Sequence, residues 1–164
     1  MEDLLSKYFE SVIGLEFGSL LEIIPRDREL VNGPYLIDGA VEVEHGLCLS
    51  IVGAKPLTAL WKSSGVDGGL EIIIGNPNPE LFTTRKLAIE PVLGQVVDVV
   101  AASEVDGGVH QLVVQGRNGR FDILLGEVDE TAGLVKAAPQ AVTLVWKSEV
   151  IAVDTFIAGA LLLR

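Results

Sequence analysis

The sequence predicts a mainly β fold with one N-terminal helix, in which two similar antiparallel β half-units pack as a sandwich, roll or flattened barrel. Three observations carry that prediction. The only two tryptophans of the 164-residue chain stand in near-identical phrases, PLTALWKSS (56–64) and AVTLVWKSE (141–149). The blocks around these phrases recur in the same order in both halves. Beyond residue 14, apolar residues alternate with polar ones or run in short bursts between turn residues, which is the patterning of strands.

The helix comes first, over residues 1–14. In LLSKYFESVI the apolar Leu4, Leu5, Tyr8, Phe9, Val12 and Ile13 recur at steps of one, three and four, so they share one stripe of a helix surface. Gly14 is expected to end it.

The repeat then sets the order of the strands. GSLLEII (18–24) and GQVVDVV (94–100) share a glycine, a polar residue, two aliphatics, an acid and two aliphatics, with Glu22 set against Asp98. VEVEHGLCLSI (41–51) matches VQGRNGRFDIL (114–124), each centred on a turn pair, His45-Gly46 or Asn118-Gly119. Both glycines are expected to supply the positive φ of a tight hairpin, and residues 109–116 should pair antiparallel with 120–125. The tryptophan phrases follow. Alternation puts Leu57, Ala59 and Trp61 on one face, as it does Val142, Leu144 and Trp146, so both tryptophans read as core anchors. Last come GVDGGLEIIIG (65–75) and IAVDTFIAGAL (151–161). Val-Asp-Gly-Gly, present at 66–69 and 105–108, reads each time as a turn into a strand.

This collinear series implies a tandem duplication, with a first β unit over 15–75 and a second over 92–164. The stretch 76–91 holds Pro77, Pro79 and Pro91, which forbid central-strand pairing where they stand. It reads as the connection between units, with PELFTTRKL a candidate short helix. One domain is expected, because each half alone would have a marginal core. The offset between matched residues grows from 73 (Ile51 to Leu124) to 85 (Trp61 to Trp146), which places an insertion in GEVDETAGLVKAAPQ, residues 126–140. A long acidic loop carrying Glu127, Asp129 and Glu130 is expected there, where function is readily added.

Composition narrows the function classes. Twenty-three acids against twelve bases give a net charge of −11, which repels phosphate backbones and anionic lipid and favours a basic protein partner. No nucleic acid or membrane is expected as a partner, and a homodimer is left open. The longest apolar run near the C-terminus, FIAGALLL (156–163), is far short of the roughly 20 residues a spanning helix needs. MEDLLSKYFESVIG lacks the basic start and apolar run of a secretory signal, and the single Cys48 suits a reducing compartment, so a cytoplasmic location is expected.

Site chemistry is sparse. His45 and His110 have no ligand-spaced neighbours, no serine sits in a nucleophile elbow, and no glycine cluster has the spacing of a phosphate loop. No catalytic residue, metal or cofactor is expected. Glu22 and Asp98 hold equivalent places and invite comparison with paired carboxylates of hydrolases, but alternation assigns each to the exposed side of a strand or to an edge.

The run from Gly94 to Val100, the hairpin Asn118 to Leu124 and Trp146, with their first-half counterparts, together resemble small uncharacterised bacterial domains, some of which act as toxin-neutralising immunity proteins. That resemblance implies a fold and transfers no functional residue. LTALWKSS and VTLVWKSEV are also similar to strand ends of molybdate-binding barrel domains, which would make Lys62, Ser63, Lys147 and Ser148 ligand-binding. The resulting expectation is a non-catalytic protein-binding module, an inhibitor or immunity protein for a basic partner using Glu127, Asp129 and Glu130. The alternatives are a small-molecule or oxyanion-binding β barrel and an acid-pair hydrolase.

Overall fold

A computed structural model describes residues 2–27, 34–61, 70–87, 89, 94–104, 109–129, 131–147, 152–153 and 160–163. Helix α1 (Glu2–Val12) precedes β1 (Phe17–Pro25), β2 (Tyr35–Ile37), β3 (Ala40–Val43), β4 (Gly46–Ile51), β5 (Leu57–Trp61), β6 (Leu70–Ile74) and β7 (Phe82–Lys86). The second half contributes β8 (Val96–Glu104), β9 (Val109–Gly116), β10 (Arg120–Asp129), β11 (Leu134–Val145), β12 (Ala152–Val153) and β13 (Ala160–Leu163). The Val-Asp-Gly-Gly turns lie outside the described residues.

The main ladder runs β2-β3-β11-β10-β9-β6-β5-β4-β1-β7, with β8 on the other side of β9 and β13 beyond β8. Its β9–β6 joint is a single residue pair, Val109 with Leu70. The chain therefore forms two antiparallel sheets, β7-β1-β4-β5-β6 and β2-β3-β11-β10-β9-β8-β13, and among the described residues no closed barrel. No helix among them is long and apolar enough to cross a membrane.

Strand alternation turns one face of each sheet into a shared core. Leu47, Leu49, Leu57, Ala59 and Leu70 come from the first sheet; Val41, Leu112, Val114, Phe121, Ile123, Val142 and Leu144 come from the second. Phe17 meets Phe121 edge-on across it, ring centroids 5.2 Å apart, the geometry aromatic quadrupoles favour. Leu57 and Ala59 of one tryptophan strand, and Val142, Leu144 and the partly buried Trp146 of the other, all face this core, as alternation requires. The Trp61 side chain lies outside the described residues.

Helix α1 packs against the same core through Leu5, Tyr8, Phe9 and Val12, whereas Leu4 and Ile13 are 64% and 48% exposed. The buried stripe is narrower than the apolar one, since Leu4 and Ile13 lie at its two flanks, about 100° per residue round the helix. Gly14 ends the helix at φ +89° and donates its N–H to the Val96 carbonyl, tying the helix to β8. The Tyr8 hydroxyl donates to the Lys55 carbonyl.

The hairpin at Asn118-Gly119 is present: Arg120 pairs with Gln115 and the ladder continues to Leu124 with Gln111. Its loop spans residues 116–119, closed by Gly116 N–H to Gly119 O. The counterpart at His45-Gly46 is not a hairpin. β3 pairs with β2 and β11, while β4 pairs with β1 and β5, so the chain leaves one sheet and enters the other at Glu44-His45. Neither Gly46 nor Gly119 has positive φ. Gly46 is needed for space instead, because a Cβ there would overlap the Ala59 carbonyl oxygen of the adjacent strand. Upstream pairing differs in consequence: β4 pairs with β5 as β10 does with β11, but β1 pairs with β4 whereas β8 pairs with β9.

The 76–91 stretch contains an edge strand, β7, and not the short helix considered for it. Phe82–Lys86 pairs antiparallel with Leu21–Pro25 of β1. Its β-branched Thr83 and Thr84 favour the extended state, and the prolines stay outside the paired segment.

Two outcomes follow for stability. Phe121 is fully buried, and Phe121→Ala should cost about 3–5 kcal/mol in urea unfolding. Burial first, then the neighbouring Cys48, pushes the Tyr8 phenol from 10.0 up to about 12. Folding thus favours its protonated form, so this contribution is intact below pH 10 and lost as pH rises through about 12. Burial also raises the Cys48 thiol. In a Cys48→Ala background, which removes that second titration, Tyr8→Phe should flatten the alkaline fall in melting temperature between pH 10 and 12.

Candidate functional site

The insertion over 126–140 is a folded β arm and not a loop. β10 and β11 pair from Asp122 with Val145 to Leu125 with Val142, then resume at Gly126 with Ala137 and continue to Asp129 with Leu134. Residues 138–141 fall in this break without ladder partners in β10, and Pro139, which has no N–H to offer, sits among them. β12 runs parallel to Leu134 and Val135 at the arm's other side.

The arm folds back over the outer face of the second sheet. Val135 and Val128, opposite each other in the arm, pack on Leu124, Val145, Ala40 and Ile37. Two hydrogen bonds pin its edge: Val128 N–H donates to the Glu42 carboxylate (2.7 Å), and the Thr143 hydroxyl donates to the Gly126 carbonyl (2.7 Å). Glu42 and Thr143 are direct cross-strand neighbours on β3 and β11. Side chains of the underlying sheet thus replace the strand that the arm's edge lacks.

On this arm Glu127 is exposed. Asp129 is half-buried and shapes the tip: its carboxylate accepts the Ala132 N–H (3.1 Å) and its carbonyl accepts the Gly133 N–H (2.9 Å). Glu130 lies outside the described residues. The three acids expected to meet a partner therefore divide between one that faces solvent, one that holds the turn and one that is not described.

Of the residues suggested for an oxyanion, Lys62, Ser63 and Ser148 lie outside the described residues. Lys147 pairs with Asp38 (2.7 Å), and its backbone N–H, with that of Trp146, donates to the Gly39 carbonyl. Its charge is met by a carboxylate, which disfavours an added anion.

Glu22 requires a correction. It is 5% exposed, not on the surface, and it pairs with Arg85 of β7 at 2.6 Å, directly opposite in the register. Both faces of β1 are covered: Leu20 belongs to the main core, while Leu21 and Ile23 pack with Cys48 and Leu60 on the other side. A strand buried on both faces leaves an acid no solvent side, and an edge strand supplies its counter-ion. Asp98 is half-buried on the second sheet and accepts the Val99 N–H (3.0 Å). The two acids thus sit on different sheets, each with its own partner.

Sequence reasoning missed a polar cluster on the outer face of the second sheet. Asp122, 1% exposed, is bound by Arg120 through Nε to both carboxylate oxygens (3.1 and 3.0 Å) and through an Nη to one of them (2.7 Å). Gln111 on β9, fully buried, donates to the same carboxylate at 3.2 Å, and its own Oε1 has no partner among the described residues. The available signal was the i, i+2 spacing of Arg120 and Asp122 in GRFDIL, which puts both on one face of a strand. Cys48 is fully buried, its sulfur 3.6 Å from the Thr58 hydroxyl. His45 is half-buried, and the His110 side chain lies outside the described residues. Among the described residues no group of three or more His, Cys, Asp or Glu is placed to hold a metal ion.

Comparison with protein-family models, with curated proteins and with solved structures finds no match.

Removing Arg85 strands a buried carboxylate. Arg85→Met should destabilise by roughly 1–3 kcal/mol, the partly exposed guanidinium keeping the loss below that of a fully buried pair. Adding Glu22→Gln should recover part of it, a coupling read directly in a denaturant double-mutant cycle.

Proposed function

We propose that this chain is a non-catalytic, cytoplasmic protein-binding module, an inhibitor or immunity-type protein that engages a basic partner through the arm Gly126–Ala137. The observation that supports this reading is the arm itself: an acidic insertion, preformed as β structure, pinned to the sheet beneath it and presenting Glu127 to solvent. A preformed element loses little conformational entropy on binding, so charge complementarity can be expressed as affinity. The net charge of −11 adds long-range attraction for a basic surface, which raises the encounter rate and weakens with salt.

The residues divide the labour. Glu127 and Glu130 carry the charge, and Asp129 keeps the tip in shape. Reversal at Asp129 would confound the test by undoing the turn, so the informative variant is Glu127→Lys/Glu130→Lys. Affinity capture from the native host at low salt should recover a basic protein with the parent chain. The double variant, folded by circular dichroism, should lose that protein, and so should the parent at about 0.5 M salt, where the Debye length is only a few ångströms. Capture that survives the double reversal would refute the role of the arm.

A further inference from the structure

The arm is attached to the body of the protein in an unusual way. No ladder pair crosses the break between Leu125 with Val142 and Gly126 with Ala137, so its strands can pivot there without breaking a pair on either side. Its tip is self-contained, held by Asp129. Among the described residues, it is held by the Glu42 and Thr143 hydrogen bonds, by the small cluster of Val128 and Val135 on Leu124, Val145, Ala40 and Ile37, and by the two-residue pairing of Leu134 and Val135 with β12, which moves with the arm when it opens. The main core is far larger and shared by both sheets. Segments with few apolar contacts and their own internal hydrogen bonding open at a lower free energy than the core.

We propose that Gly126–Ala137 is a strap that opens as a unit about the break at residues 138–141, with Glu42 as its latch. Glu42 is suited to that role by place and chemistry. It stands on β3, between Tyr35 and Thr143 in the register, and its carboxylate accepts the Val128 N–H of the arm. A carboxylate bonded to a backbone N–H is a charge-assisted acceptor, stronger than a neutral one. Opening uncovers Leu124, Val145 and Ala40 together with that carboxylate, an apolar floor with an acidic rim. Gln111, whose Oε1 has no partner among the described residues, is the direct cross-strand neighbour of Leu124 on the same face. The proposal concerns the free protein, and its use in recognition rests on the arm being the partner-facing element.

Amide hydrogen exchange on the full chain, without partner, tests the strap directly. Arm amides 126–129 and 134–137 should exchange faster than those of Leu112, Ile123 and Leu144, through an opening insensitive to low denaturant. Glu42→Ala should speed exchange of the arm roughly tenfold or more and leave the core amides unchanged, the size expected for loss of a charge-assisted hydrogen bond. Glu42→Gln keeps a neutral acceptor and should fall between. The strap is refuted if arm and core amides exchange together in the parent chain, or if Glu42→Ala accelerates all of them equally. Failure of partner capture with normal strap opening would instead count against the functional reading alone.

Discussion

Mutual burial of two apolar sheet faces is the constraint on which the rest depends. Neither sheet can hide its inner residues alone, and a single helix of three turns covers only part of what remains open. Leu47, Leu49 and Leu57 must therefore meet Leu112, Ile123 and Leu144, with Phe17 against Phe121 at the contact. An interior filled by such side chains is packed to the density of an organic solid. Chemistry is pushed outward in consequence. Asp122, Gln111, Thr143 and Glu42 all occupy the opposite face of the second sheet, and Glu22 takes its counter-ion from an edge strand.

Much of this architecture was legible in the chain. The stripe in LLSKYFESVI located the helix, the Asn118-Gly119 pair located the hairpin of β9 and β10, and alternation in the tryptophan phrases gave the inward face of Leu57 and Ala59 and of Val142, Leu144 and Trp146. Each of these is a local property, decided within about ten residues. What stayed hidden was the choice of neighbour. VEVEHGLCLSI has the pattern of two strands and a turn whether those strands pair with each other or part company, and they part.

The candidate site shows the same limit. An insertion with glycine, proline and four charged residues reads as a loop, because strand-forming power here comes from β12 and the sheet below more than from local propensity. LLEII carries no mark of burial on both faces, since an acid among aliphatics fits an edge as well as a covered strand. Arg85, 63 positions away, decides the matter. Glu42 acquires its role from Val128, 86 positions away, and nothing in VEVEH announces it.

The crossing at Glu44-His45 ties one half of the chain to the other. β2 and β3 come from the N-terminal half yet extend the sheet of the C-terminal half, with Val43 to Ala40 laid along Val142 to Val145. A chain severed within 76–91 would strand those two segments on one fragment and leave the border of β11 bare on the other, an invitation to self-association. The halves are entangled. The loan runs one way, since β9, the counterpart of β3, stays beside its own β10, so the second half does not complete its sheet without the first as the chain now stands.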